Sequence, residues 1–229
     1  ALPARGRADD LGEGSAAVCV VGRACTLRLA APQSRHRSWE DTALHNRIDL
    51  LRPDAPALAQ RGPHPVGVTT LTAPVSDTRQ LTLEVWYPAA KGTGAGTSYA
   101  TLLRDGVTPT VLHGSACREA FVATGISAPL IVISHGYPGN RFLLSHLAES
   151  LARQGFVVAA PDHAGSTYED QQAFGVTLLN RPLDQRAVID AMEALTGPLG
   201  DLVACRRVGL IGYSMGGYGA MIFGGAGLA

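Results

Sequence analysis

Three short runs in the second half of the chain fix its architecture: PLIVIS at 129–134, FVVAAP at 156–161 and RVGLIG at 207–212. Each is a nearly unbroken apolar segment, the pattern of a strand covered on both faces. Helical patterns separate them. NRFLLSHLAESLARQG (140–155) offers Asn140 as a cap, Leu143, Leu144, Leu147 and Leu151 as one apolar face, and Gly155 as a stop. RPLDQRAVIDAMEAL (181–195) places Pro182 in a first turn and Leu183, Val188, Ala191 and Leu195 on one face. A third helix opens at MGGYGAMIFGG (215–225). Strands alternating with helices predict a mostly parallel α/β sheet with right-handed crossovers and helices on both faces.

Upstream, VGVTTLTA (66–73) and QLTLEVWYP (80–88) read as two strands joined through Pro74, Ser76 and Asp77. Leu81, Leu83, Val85 and Tyr87 alternate with Thr82, Glu84 and Trp86, which predicts a half-buried antiparallel hairpin at a sheet edge. KGTGAGTS (91–98) reads as a flexible loop, and the mixed signals of 100–128 assign no element. Residues 1–47 are rich in Ala, Arg, Gly and Ser without a sustained period. They are expected to be a leader, disordered or outside the fold, with 48–229 forming a single domain.

Composition narrows the function. The 19 basic and 19 acidic residues cancel, so there is no electrostatic case for nucleic acid or an anionic membrane surface. The apolar stretch Gly14–Gly22 is too short to span a bilayer, and acidic residues precede it, the wrong flank for a secretory signal. Localisation and oligomeric state are left open. Cys19, Cys25, Cys117 and Cys205 show no metal-ligand spacing, and no metal or other cofactor is expected. Their pairing is open.

The chemistry-bearing motif is Gly212-Tyr213-Ser214-Met215-Gly216, a G-x-S-x-G sequence between the third buried strand and its helix. In such an elbow the serine stands at the carboxyl edge of the sheet, and flanking glycines let strand and helix approach. The Met215 N–H would then face a developing oxyanion. The same five residues also serve as a tight structural turn. A second donor is expected from the loop His135-Gly136-Tyr137-Pro138-Gly139 after the first buried strand, with the Tyr137 N–H as the candidate; an ordinary Gly-Pro turn is the alternative. His135 reads as a loop-structuring side chain rather than a base. Asp162 and His163 follow the second buried strand, but neighbours on extended chain point to opposite sides, so they read as structural or pocket-lining. Tyr168, Glu169 and Asp170 read as solvated loop, and His113-Gly114-Ser115 lacks a preceding buried strand.

The segments LTLEVWYPA, PLIVISHGYPGNRFLLSHLAESLARQGFVVAAPDHAGST and VGLIGYSMGGYGA together resemble the α/β-hydrolase branch of bacterial dienelactone hydrolase-like and platelet-activating-factor acetylhydrolase-like enzymes, related to cutinase-like polyester hydrolases. The resemblance runs from about residue 50 to 229. It implies a serine esterase without metal or organic cofactor, acting on a small-molecule or polymeric ester. Ser214 matches the nucleophile, and Met215 and Tyr137 match the oxyanion donors. In that fold the triad Asp and His follow the serine on later strands, whereas no His, Asp or Glu follows Ser214 here. The sequence therefore reads as the N-terminal two-thirds of a hydrolase domain, with the C-terminal strands, Asp and His expected beyond residue 229. The alternative is a non-catalytic protein that keeps the cleft for binding.

Overall fold

The structure, a computed structural model, describes residues 16–21 and 60–226. Among these residues seven strands form one sheet, in the order β1 (Ala16–Val21), β9 (Val203–Tyr213), β7 (Ala128–Ser134), β8 (Val157–Pro161), β3 (Arg79–Pro88), β2 (Val66–Ser76) and β6 (Cys117–Arg118), and two more, β4 (Thr97–Leu102) and β5 (Pro109–Gly114), form a separate hairpin. The three apolar runs are its centre: β7 (Ala128–Ser134) and β8 (Val157–Pro161) are parallel, and β9 (Val203–Tyr213) is parallel to β7 on its other side. Every residue of β8 is buried, as its double cover requires.

β2 (Val66–Ser76) and β3 (Arg79–Pro88) form the expected antiparallel hairpin. It differs from expectation in position. β3 is interior, paired with β8, and β2 is flanked by the short parallel β6 (Cys117–Arg118). That is why β3 is buried from Leu83 to Pro88 on both faces instead of alternately. Glu84, at 0% exposure, survives there because Arg118, Thr70 and Arg141 surround its carboxylate.

β1 (Ala16–Val21) lies within the segment read as a leader and pairs antiparallel with β9. The rest of 1–47 lies outside the described residues. The stretch without assignment contains β4 (Thr97–Leu102) and β5 (Pro109–Gly114), so strand begins inside the segment read as flexible loop. The hairpin is tied to the sheet by a buried chain of bonds. The Trp86 indole donates to Tyr99 Oη, which donates to Glu149, and Glu149 also accepts from the Ser115 N–H and hydroxyl.

The first crossover helix, α1 (Ser145–Arg153), packs on one face over a core of Val66, Val68, Trp86, Ile133 and Val158. It starts later than the leucine pattern suggests. Asn140 caps only a preceding turn, accepting from the Phe142 N–H, and Leu144, Leu147 and Leu151 are half-buried rather than buried. The second, α2 (Phe174–Glu193), lies over the opposite core of Leu83, Val85, Leu130, Val132 and Leu210. It begins well before Pro182, which sits inside it, and Leu183 is exposed rather than facing the sheet. The buried face of α2 is Thr177, Arg181, Asp184, Gln185, Val188 and Met192, polar for its first half. A short helix α3 (Gly197–Leu202) leads into β9, and α4 (Met215–Phe223) follows it, packed against α2.

β7 leads through α1 to β8 on one side, and the chain then crosses back to β9 on the other. Strand order thus reverses at β7 and β9, the place where open α/β sheets form a crevice at their carboxyl edge.

Candidate active site

Ser214 stands at that edge. It lies between the end of β9 and the first residue of α4, exposed, with φ 53° and ψ −121°. A non-glycine residue with positive φ costs on the order of 1–3 kcal/mol and persists only where the surroundings impose it. They do so here by close approach. A Cβ on Gly212 would lie 2.3 Å from the Gly216 carbonyl carbon, and one on Gly216 would lie 2.0 Å from the Ser134 carbonyl oxygen. The glycines of the motif are therefore where strand β9, helix α4 and strand β7 meet. Met215 begins α4, so its N–H is among the helix donors without an intrahelical acceptor.

The loop after β7 faces the elbow. A Cβ on Gly136 would sit 3.2 Å from Ser214 Cβ, and the half-buried Tyr137 follows it. The Tyr137 ring meets Phe174 edge-on at 5.0 Å, and its hydroxyl donates to the Gln171 carbonyl. Aromatic surface thus belongs to the loop that faces Ser214.

His135 and His163 lie under this loop instead of lining the crevice; their exposures are 2% and 0%. His135 Nε2 accepts from the His163 N–H at 3.2 Å, so its Nδ1 carries the proton and donates to the Gly136 carbonyl at 2.7 Å. His163 Nδ1 meets Asp184 at 2.8 Å and its Nε2 meets the Ser134 hydroxyl at 2.8 Å. Burial lowers both histidine pKa values well below the ordinary range, and the Arg181 guanidinium adds to the effect. Both imidazoles are neutral with both nitrogens engaged, so neither serves as a base for Ser214. Asp162 points the other way from His163, accepting from the Arg141 N–H and guanidinium.

Ser134, Arg181 and Asp184 were not singled out in the sequence. Arg181 is fully buried, and its guanidinium donates to Ser134 Oγ, the His135 and Gly136 carbonyls and Ser166 Oγ. Burial lowers its pKa to about 10, with Asp184 opposing, so it stays charged at neutral pH. Asp184 also pairs with Arg79, which offsets the upward push of burial on its carboxyl. One signal was available: 181, 184, 185, 188 and 192 share a helical face, and a charged residue there is buried whenever the face is.

The family model of platelet-activating factor acetylhydrolase, isoform II, matches residues 100–187. The match runs from β4 into α2 and ends before the elbow. Among solved structures, the chain is similar to a ferulic acid esterase from Streptomyces cinnamoneus, with 28% identity and a TM-score of 0.51. The superposition covers 74% of this chain and 57% of the esterase. The chain has the α/β-hydrolase fold. It spans a little over half of that esterase's length, and no curated protein matches it. The segment matched by the family model contains the whole loop that faces Ser214.

Among the described residues, Cys117 and Cys205 are free thiols, and no group of three His, Cys, Asp or Glu side chains is placed to hold a metal ion. No helix among them is long and apolar enough to cross a membrane.

Proposed function

We propose that the protein hydrolyses carboxylic esters, small or polymeric, through an acyl-enzyme on Ser214. The observation that carries this reading is the backbone of Ser214, a strained non-glycine residue exposed at the strand-to-helix turn and set against the Gly136–Tyr137 peptide. The similarity of residues 100–187 to a family model named for an acetylhydrolase, and of the chain to a protein named a ferulic acid esterase, supports an ester as the substrate class.

In this reaction Ser214 Oγ attacks the ester carbonyl carbon, the carbonyl π electrons move to oxygen, and a general base takes the hydroxyl proton. The Tyr137 and Met215 N–H groups receive the oxyanion. Collapse expels the alcohol, which takes the proton back from the base, and water releases the acid by the same steps. With His135 and His163 engaged elsewhere, we assign the base to a His, and its orienting carboxylate to an Asp, beyond residue 229.

The test is hydrolysis of short p-nitrophenyl esters by the product of the complete reading frame, with Ser214→Ala beside it. The substitution should lower kcat by on the order of 10⁴-fold or more and abolish fluorophosphonate labelling. Ester binding without turnover, unaffected by Ser214→Ala, would instead establish the non-catalytic reading.

A further inference from the structure

We propose that Arg181 is a positioning residue for the oxyanion site: from beneath, it holds the two peptides whose N–H groups face the crevice. This rests on the esterase reading above and deepens it. The Gly136–Tyr137 peptide is trans, so its C=O and N–H point in opposite directions. Its carbonyl is held from the core side by Arg181 Nη2 at 3.1 Å and His135 Nδ1 at 2.7 Å. The Tyr137 N–H is therefore aimed away from the core. Arg181 Nη1 holds the preceding carbonyl, of His135, in the same manner.

One rigid, planar group thus sets two consecutive peptide planes. Its remaining Nη donors are fixed by Ser166 Oγ at 2.6 Å and Ser134 Oγ at 3.1 Å. Ser134 in turn donates to His163 Nε2, and His163 Nδ1 donates to Asp184, one turn of helix from Arg181 itself. The Ser134 hydroxyl, the His163 Nδ1–H and the four Nη contacts are each oriented by the next acceptor, from the carboxylate to the loop. A lysine at 181 would keep the charge but not the fork that reaches both carbonyls. The guanidinium also polarises the peptides it binds, which strengthens the opposite N–H groups as donors.

The experiment compares Arg181→Lys with the unmodified protein, expressed from the complete reading frame, on an ester and the matching thionoester. A thiolate intermediate gains far less than an oxyanion from N–H donors, so the ester-to-thionoester ratio of kcat reports the hole itself. It is independent of how much protein is folded. Removing a full oxyanion donor costs about 10²–10³-fold. Misaiming one in Arg181→Lys should lower ester kcat by roughly 10- to 100-fold at little change in KM, and lower the ratio with it. Should that variant not fold, Ser166→Ala, which frees Nη2, is read in the same way and should lower the ratio severalfold. An unchanged ratio in the variant measured overturns the proposal. If the unmodified protein turns over esters independently of Ser214, the esterase reading fails and takes this one with it; Ser214-dependent turnover with an unchanged ratio removes this one alone.

Discussion

Replacing Ser214 by glycine should make the protein more stable than replacing it by alanine, the reverse of the order at ordinary positions. Ser214 is held at φ 53°, ψ −121°, and alanine inherits that conformation while glycine adopts it without steric cost. The strain released is on the order of 1–3 kcal/mol. Against it stands the extra chain entropy glycine loses on folding, about 0.5–1 kcal/mol relative to alanine. Ser214 is exposed, so the lost methyl adds little. The midpoints of the two ranges leave glycine ahead by about 1 kcal/mol. For a domain of this size that moves Tm by about 2–4 °C, so Ser214→Gly should melt roughly 2–4 °C above Ser214→Ala. Urea unfolding of the two variants, followed by circular dichroism, measures the same difference. Both lack the nucleophile, so activity does not enter the comparison. A glycine variant equal to or less stable than the alanine one would show that the turn is relaxed, and the structural argument for a nucleophile elbow would fall.

Three further outcomes follow from the same geometry. Gly216→Ala puts a methyl 2.0 Å from a backbone oxygen of β7, so the elbow must move relative to the facing loop; kcat should fall by about 10²-fold, since displacements near 1 Å cost that much, with a reduced Tm. Acidification should destabilise the fold starting at about pH 6.5. His135 and His163 have folded pKa values below their unfolded ones, so the unfolded state takes up protons first and stability declines as pH falls. The limiting slope is about 1.4 kcal/mol per pH unit for each histidine; urea titrations between pH 7.5 and 5.5 should show it, and His163→Gln should make it shallower. The raised pKa of Asp184 acts in the opposite sense. Glu149→Ala strands the Tyr99 hydroxyl in the core and leaves the half-buried Ser115 N–H without its acceptor; it should cost about 3 kcal/mol and accelerate amide exchange across 97–114 before the central sheet is affected.

What the sequence made legible was whatever burial alone decides. β7, β8 and β9 are covered on both faces, so their apolar runs needed no partner to be recognised. The glycines of the elbow were legible because close approach permits nothing larger there. The hairpin β4-β5 was not, because its one buried side chain is Tyr99, whose importance comes from Trp86 and Glu149, outside the hairpin. The edge position assigned to β3 failed for a related reason: Glu84 reads as solvent-facing until Arg118 and Arg141 are brought beside it.

The misreading of α2 has the same origin and bears on the site. A periodicity argument seeks apolar residues for the buried face, and so it chose Leu183, which is 59% exposed. The face that is buried carries Arg181, Asp184 and Gln185 because of what it covers. Beneath the crevice run the buried carbonyls of His135 and Gly136, and buried carbonyls need donors. An apolar helix face would have left them unsatisfied, or satisfied by water free to let the peptides rotate. A guanidinium satisfies them with fixed geometry, and it requires in turn the serines and the neutral His163–Asp184 pair that orient it. The polar interior of α2 and the strained turn at Ser214 are two sides of one arrangement. The turn fixes the nucleophile, the buried network fixes the loop opposite, and Gly216 brings the two within contact.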